Sequence, residues 1–61
     1  MKLIDLLEEF EMLQRVNIRN GEECVTGEVC AMKKLLSEET LALEVQCAMA
    51  ENSVLKVWVK E

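Results

Sequence analysis

The sequence contains few side chains of the kinds that enzymes use for catalysis. Histidine, the commonest general base, is absent. Carboxylates occur as three adjacent pairs, which are Glu8-Glu9, Glu22-Glu23 and Glu38-Glu39. Neighbouring residues point apart on a helix or a strand, so we interpret all three pairs as solvated charge. Gly21 and Gly27 belong to no phosphate-binding loop. The pattern predicts a protein that is not an enzyme and has no small-molecule substrate.

The three cysteines, Cys24, Cys30 and Cys47, have no CxxC spacing and no histidine to complete a metal site. We therefore expect no metal and no cofactor. An odd number of cysteines without a signal peptide is typical of a reducing compartment, where each thiol behaves as a small buried hydrophobe. A reactive thiol is the alternative, which no neighbouring motif supports.

Charge and length limit the partners. Twelve acidic residues against seven basic ones give a net charge of −5, which argues against electrostatically driven binding of nucleic acid.

The opening MKLIDLLEEF is interrupted by Asp5, Glu8 and Glu9, so we predict neither a secretion signal nor a membrane span. We therefore expect a cytoplasmic location. The 61 residues form one domain, 1–61, whose marginal core favours a homodimer or higher homo-oligomer.

Two segments have the period of an amphipathic helix. The first has apolar residues at Leu3, Leu6, Leu7, Phe10 and Leu13, which predicts a helix over about 2–12. The second has Val29, Met32, Leu35 and Leu36 with Lys33 and Lys34 between them, which predicts a short helix over about 29–37.

A first hairpin is predicted between these helices. Val16 and Ile18 alternate with polar residues, and Asn20-Gly21 is a strong turn signal. Strands are expected at about 14–19 and 22–28. A two-residue loop would set Val16 against Val25, and a three-residue loop would set it against Cys24. Both alternatives keep Val16 and Ile18 on one face.

The stretch Glu44 to Val59, EVQCAMAENSVLKVWV, fits either a helix or a second hairpin. Ser37 followed by Glu38 and Glu39 resembles a helix start, but strict alternation from Leu41 to Met49 and from Leu55 to Val59 favours strands.

The register of this second hairpin follows from its hydrophobic pattern. A three-residue loop over 51–53 pairs Met49 with Leu55, Cys47 with Val57 and Val45 with Val59 on one face. The other face then has Glu44 opposite Lys60 and Gln46 opposite Trp58. A two-residue loop would bury a carboxylate, so we predict the first register.

The predicted order is helix, strand, strand, helix, strand, strand. This order predicts an α+β, two-layer fold with a four-stranded, mainly antiparallel sheet and both helices on one face.

The opposite sheet face is the candidate partner-binding surface. If the first and fourth strands lie near each other, it combines basic, amide and aromatic side chains, which are Arg15, Asn17, Arg19, Gln46, Lys56, Trp58 and Lys60. Three interpretations of Trp58 stay open: a ring that rests on neighbouring lysine stems without a partner, a homodimer interface, or contact with a foreign protein or single-stranded nucleic acid.

The motifs MKLxDLL, VxI, Asn20-Gly21, GEV, the short leucine-bearing helix and the terminal VLKVWV resemble small acidic proteins of bacteriophages and prophages. This resemblance spans nearly the whole chain and implies an intracellular protein of an infected bacterium. It also implies a binding protein that inhibits a host defence protein, as anti-CRISPR and other anti-defence proteins do. The alternatives are a nucleic-acid mimic, a weak single-stranded nucleic-acid binder, or a purely structural accessory dimer.

Overall fold

A computed structural model describes residues 1–60, and it is an α+β fold with a four-stranded mixed sheet and three short helices. The elements in chain order are α1 Leu3–Glu8, β1 Arg15–Asn20, β2 Glu23–Glu28, α2 Val29–Leu35, α3 Glu38–Leu41, β3 Glu44–Glu51 and β4 Val54–Lys60. The α+β class and the four-stranded sheet agree with the prediction, whereas the chain has two helices, α2 and α3, where the sequence predicted one. The second hairpin is confirmed against the helical alternative.

The strands lie in the order β2-β1-β4-β3. Each hairpin is an antiparallel pair, and the central strands β1 and β4 are parallel, with Val16 beside Leu55 and Arg19 beside Trp58. The first and fourth strands are therefore neighbours, which is the condition that the candidate surface required.

The core joins side chains of α1 and α2 to the inward residues of the two central strands. Its buried members are Leu3, Leu6, Leu7, Val16, Ile18, Val29, Met32, Leu55, Val57 and Val59. Gly27 lies beneath α2, and a Cβ there would be 2.7 Å from Cε of Met32. The missing side chain of Gly27 leaves the space that the Met32 methyl group occupies.

The first helix is shorter than its periodicity predicted. It ends at Glu8, and Phe10 and Leu13 are exposed instead of joining the core. The segment after α1 turns away to contact α2, where the N–H of Val29 donates to the carbonyl of Gln14 and that of Cys30 donates to Met12.

Both predicted registers of the first hairpin are wrong. The loop consists of Gly21 and Glu22, one position later than the sequence indicated, and it pairs Asn20 with Glu23 and Val16 with Gly27. Gly21 has φ of +63°, the left-handed conformation that glycine adopts without strain. Val16 and Ile18 still share the core face, as predicted.

The second hairpin contains a β-bulge that the sequence did not reveal. Its loop is Asn52-Ser53, with φ of 52° and 65°, so the predicted three-residue loop is wrong. The register shifts between Val45 and Cys47, which leaves Gln46 as the extra residue. The bulge restores the pairing of Val45 with Val59 and of Glu44 with Lys60. The carboxylate of Glu44 therefore stays off the core face although the loop has only two residues.

The bulge reverses the faces of the residues that follow it. Cys47 is paired with Trp58 and Met49 with Lys56, so neither faces the core as predicted. Glu44 is opposite Lys60, as predicted.

The short helix α3 begins directly after Ser37, where the sequence resembles a helix start. Ser37 is its N-cap, and the Ser37 hydroxyl accepts a hydrogen bond from the backbone N–H of Thr40 at 3.2 Å. A four-residue helix therefore replaces the start of the predicted strand at Leu41, and β3 begins at Glu44.

Candidate protein-interaction surface on the sheet

The sheet face opposite Val16, Ile18 and Val57 is here called the polar face. Its residues form three rows across the strands, in the order β2, β1, β4, β3. The rows are Cys24, Arg19, Trp58 and Cys47; Thr26, Asn17, Lys56 and Met49; and Glu28, Arg15, Val54 and Glu51. Lys60 and Glu44 form a further pair beyond the first row.

The structure brings together six of the seven residues predicted for this surface, and these are Arg15, Asn17, Arg19, Lys56, Trp58 and Lys60. They occupy alternate positions of two adjacent parallel strands, so their side chains share a face. Gln46 is the exception. It is the bulge residue, and Cys47 takes the predicted place of Gln46 opposite Trp58.

Arg19 is held at the centre of the polar face by two contacts. Its guanidinium carbon lies 5.7 Å from the centre of the Trp58 ring, within the range of a cation–π interaction. Its Nε donates a hydrogen bond of 3.2 Å to Oδ1 of Asn17. A side chain fixed in this way loses little further conformational freedom when a partner binds.

Asn17 connects the outer strand to this centre. Its Nδ2 donates to Oγ1 of Thr26 at 2.8 Å, while its Oδ1 accepts from both Arg19 and the thiol of Cys24 at 3.2 Å. The Asn17 amide therefore connects Thr26, Cys24 and Arg19, and Arg19 in turn contacts Trp58 on β4.

The polar face differs in charge from the rest of the chain. It has four of the seven cationic side chains, Arg15, Arg19, Lys56 and Lys60, against three of the twelve acidic ones. Two of those carboxylates have cationic neighbours, since Glu51 lies 3.5 Å from Nζ of Lys56 and Glu44 lies 3.0 Å from the terminal ammonium of Met1. Outside this face, residues 1–60 have three cationic and eight acidic side chains, so the polar face is cationic in an acidic protein.

Cys24, Cys47 and Met49 belong to the polar face, although the sequence did not predict them there. Cys24 and Cys47 are exposed, so the prediction that all the thiols are buried is wrong for these two. Met49 is 50% exposed beside Lys56. The signal that could have placed Cys47 and Met49 is Asn52-Ser53, since asparagine in a two-residue loop favours the positive φ of a tight hairpin.

A second surface with apolar side chains follows α1. Phe10, Met12 and Leu13 all reach solvent there, and Leu13 is 73% exposed. A shallow depression of about 250 Å³ lies between the two acidic helices and is lined by Lys2, Ile4, Glu38, Leu41 and Ala42. The depression combines one ammonium and one carboxylate with apolar walls.

The fold and the polar face define a small α+β protein with an Arg-Trp centre on one side of its sheet. Within residues 1–60, no group of three or more cysteine, aspartate or glutamate side chains is placed to hold a metal ion. None of the helices over the same residues has the length and apolar character needed to cross a membrane. No protein-family model, curated protein or solved structure matches the chain.

Proposed function

We propose that the protein is a non-catalytic binding module that engages another protein through its polar face. We further propose that helices α1 and α2 cover the opposite face of the sheet, so that the polar face stays free for a partner. The core supports that arrangement, since it joins side chains of α1 and α2 to the inward residues of β1 and β4.

The observation on which the proposal rests is the Arg19-Trp58 centre. Tryptophan and arginine are the residues most enriched among those that dominate binding energy, and here they are neighbours. Asn17 holds Arg19 in place before any partner arrives.

The charge of the polar face supports an acidic partner. Cations outnumber carboxylates on this face alone, so the complementary surface is acidic with an apolar spot for Trp58. The resemblance to small phage proteins adds that the partner is a host defence protein, which the module inhibits in the cytoplasm of an infected bacterium.

The test is capture of a partner from bacterial lysate on the immobilised protein. We expect Trp58→Ala and Arg19→Ala to lose the captured protein, because each removes half of the centre. Leu35→Ala is the matched control, since Leu35 is an exposed apolar residue of α2 that lies outside the polar face. Capture by Trp58→Ala that equals capture by the wild type would overturn the proposal, provided that both unfold at similar temperatures.

A nucleic-acid mimic is the second candidate. Six carboxylates lie on α1, on the segment after it and on α3, and all six are exposed: Asp5, Glu8, Glu9, Glu11, Glu38 and Glu39. Such a surface imitates phosphates and competes for a basic groove. In that case Glu8→Gln with Glu9→Gln would abolish capture, whereas Trp58→Ala would leave it intact.

Direct binding of single-stranded nucleic acid is disfavoured by the position of Arg19. Its guanidinium already lies over the Trp58 ring, where a base would have to stack. Retention of oligonucleotides that falls with added salt and depends on Arg15 and Arg19 would reverse this conclusion.

A further inference from the structure

Strand β3 is the edge of the sheet, and only part of its outer side has a partner. The N-terminal residues cover the beginning of the strand, where Leu3 N–H donates to Leu43 O at 2.9 Å and Val45 N–H donates to Met1 O at 2.8 Å. From Gln46 to Glu51 the outer side is unpaired in the structure. This stretch is here called the free edge.

The hydrogen-bonding groups of the free edge follow from the hairpin geometry. Antiparallel strands alternate between pairs that exchange hydrogen bonds and pairs that do not, and the pair flanking a two-residue loop is of the first kind. Glu51 and Val54 form that flanking pair, so Met49 and Cys47 also direct their amides to β4. Ala48 and Ala50 therefore direct their N–H and C=O groups away from the sheet.

The free edge lacks most of the protections that sheet edges usually have. Lysine, proline and inward-pointing charge normally prevent one sheet edge from pairing with another. Here the run Gln46-Cys47-Ala48-Met49-Ala50 is uncharged, and the side chains of both alanines are exposed. Only the bulge at Gln46 interrupts the strand, at the point where the N-terminal cover ends.

The opposite edge of the sheet is different. Strand β2 has carboxylates at both of its ends, Glu23 and Glu28, and its uncharged run from Cys24 to Gly27 is shorter than the run from Gln46 to Ala50. The longer uncharged run favours β3 as the edge that accepts a strand.

We propose that the free edge pairs antiparallel with the free edge of a second copy of this chain, which joins two four-stranded sheets into one of eight strands. The copies are related by a two-fold axis at Met49. Ala48 of one protomer then lies opposite Ala50 of its partner, and the symmetry repeats this pair on the other side of the axis. Each pair exchanges two backbone hydrogen bonds, which gives four in all.

The charges of the free edge fit this occupant. Glu51 lies opposite Cys47 of the partner subunit in the proposed register, so no carboxylate faces another carboxylate. The two Met49 side chains meet on the polar face, which buries an apolar side chain that is half exposed in the single chain. The alanines meet on the other face, where small side chains let the strands approach.

The test is the oligomeric state of the wild type and of matched charge variants. Sedimentation from low micromolar to millimolar protein should show a concentration-dependent dimer. Ala50→Lys should raise the dimer dissociation constant about tenfold or more, because it places a lysine at the joined edges. Ala31→Lys adds the same charge at an exposed position of α2 and should leave the dimer unchanged.

A cross-linking experiment tests the register. In a chain with Cys24→Ser, Cys30→Ala and Cys47→Ser, Met49→Cys places two cysteines in a pair about 4.5 Å apart at Cα, which suits a disulfide. Oxidation should therefore yield a covalent dimer. The matched control keeps Cys47 as the only cysteine, and its two copies lie about 13 Å apart along the strands, too far for a bond.

Three results would overturn the inference. They are a monomeric wild type at millimolar concentration, a dimer that Ala50→Lys leaves unchanged, and a cross-link through Cys47 in place of position 49. Trp58→Ala should keep the dimer, and Ala50→Lys should keep the captured partner. Failure of the edge pairing is thus distinguishable from failure of the polar face as a binding surface.

Discussion

The guanidinium of Arg19 lies over the ring of Trp58, 5.7 Å from its centre, across the parallel junction of β1 and β4. The two residues are 39 positions apart in the chain. They meet because the second hairpin inserts its last strand beside the first strand of the sheet. The centre of the polar face is thus a product of sheet order.

The Arg19-Trp58 contact predicts a measurable coupling in stability. Arg19→Ala and Trp58→Ala, made singly and together, should give a coupling free energy of about 0.5–1 kcal/mol, as for exposed cation–π pairs. Urea unfolding of the four proteins measures it. The pair Arg15→Ala and Trp58→Ala is the control and should be additive, since Arg15 lies in a different row. A coupling no larger than in the control would mean that the contact contributes nothing to folding.

The shortened first helix predicts opposite behaviour of two leucines. Leu7 is fully buried, so Leu7→Ala should cost about 2–5 kcal/mol and remove much of the stability of so small a domain. Leu13→Ala should change the free energy of unfolding by less than about 0.5 kcal/mol, because Leu13 is largely exposed. Thermal unfolding followed by circular dichroism compares the two. Equal losses would indicate that the helix continues to Leu13.

The turn of the first hairpin predicts a conformational effect at Gly21. No atom lies within 4 Å of a Cβ placed there, so Gly21→Ala meets no clash. It should still cost about 1–2 kcal/mol, because φ is +63° and alanine resists the left-handed conformation. Gly21→Asn, measured by the same urea titration, should lose less. If alanine and asparagine were equally tolerated, the loop conformation would differ from the one described.

The bulge predicts that one residue of β3 is dispensable for the fold. Deleting Gln46 leaves Val45 opposite Val59 and Cys47 opposite Trp58 in a regular ladder. We expect the free energy of unfolding to change by less than about 1 kcal/mol, which corresponds to about 4–8 °C in Tm. Deleting Lys56 is the control. It moves Leu55 or Val57 to the wrong face and should abolish cooperative unfolding, and a similar loss for both deletions would contradict the register.

Local patterns in the sequence predicted most of the elements. Alternation in Val16-Ile18 and Leu55-Val59 placed both strands and their core faces correctly, since a strand with one buried side must repeat every second residue. The same alternation assigned Arg15, Asn17, Arg19, Lys56, Trp58 and Lys60 to one face. Periodicity failed at Phe10 and Leu13, which lie beyond the end of α1 at Glu8 and are exposed.

The register of the second hairpin required information that alternation does not contain. A strictly alternating strand admits either a three-residue loop or a two-residue loop with a bulge, because both keep Val45 on Val59. The positive φ values of Asn52 and Ser53 select the second. Cys47 and Met49 consequently moved from the predicted core to the polar face.

The sequence by itself determined an α+β chain with two hairpins, a core of leucine, valine and methionine, and a sheet face rich in cations, because side-chain period is a local property of each strand. Only the tertiary structure decided that β1 and β4 are parallel neighbours, that Arg19 lies over Trp58 and that β3 is a partly covered edge. Those features depend on pairings between residues far apart in the chain, and no local period encodes which strands adjoin.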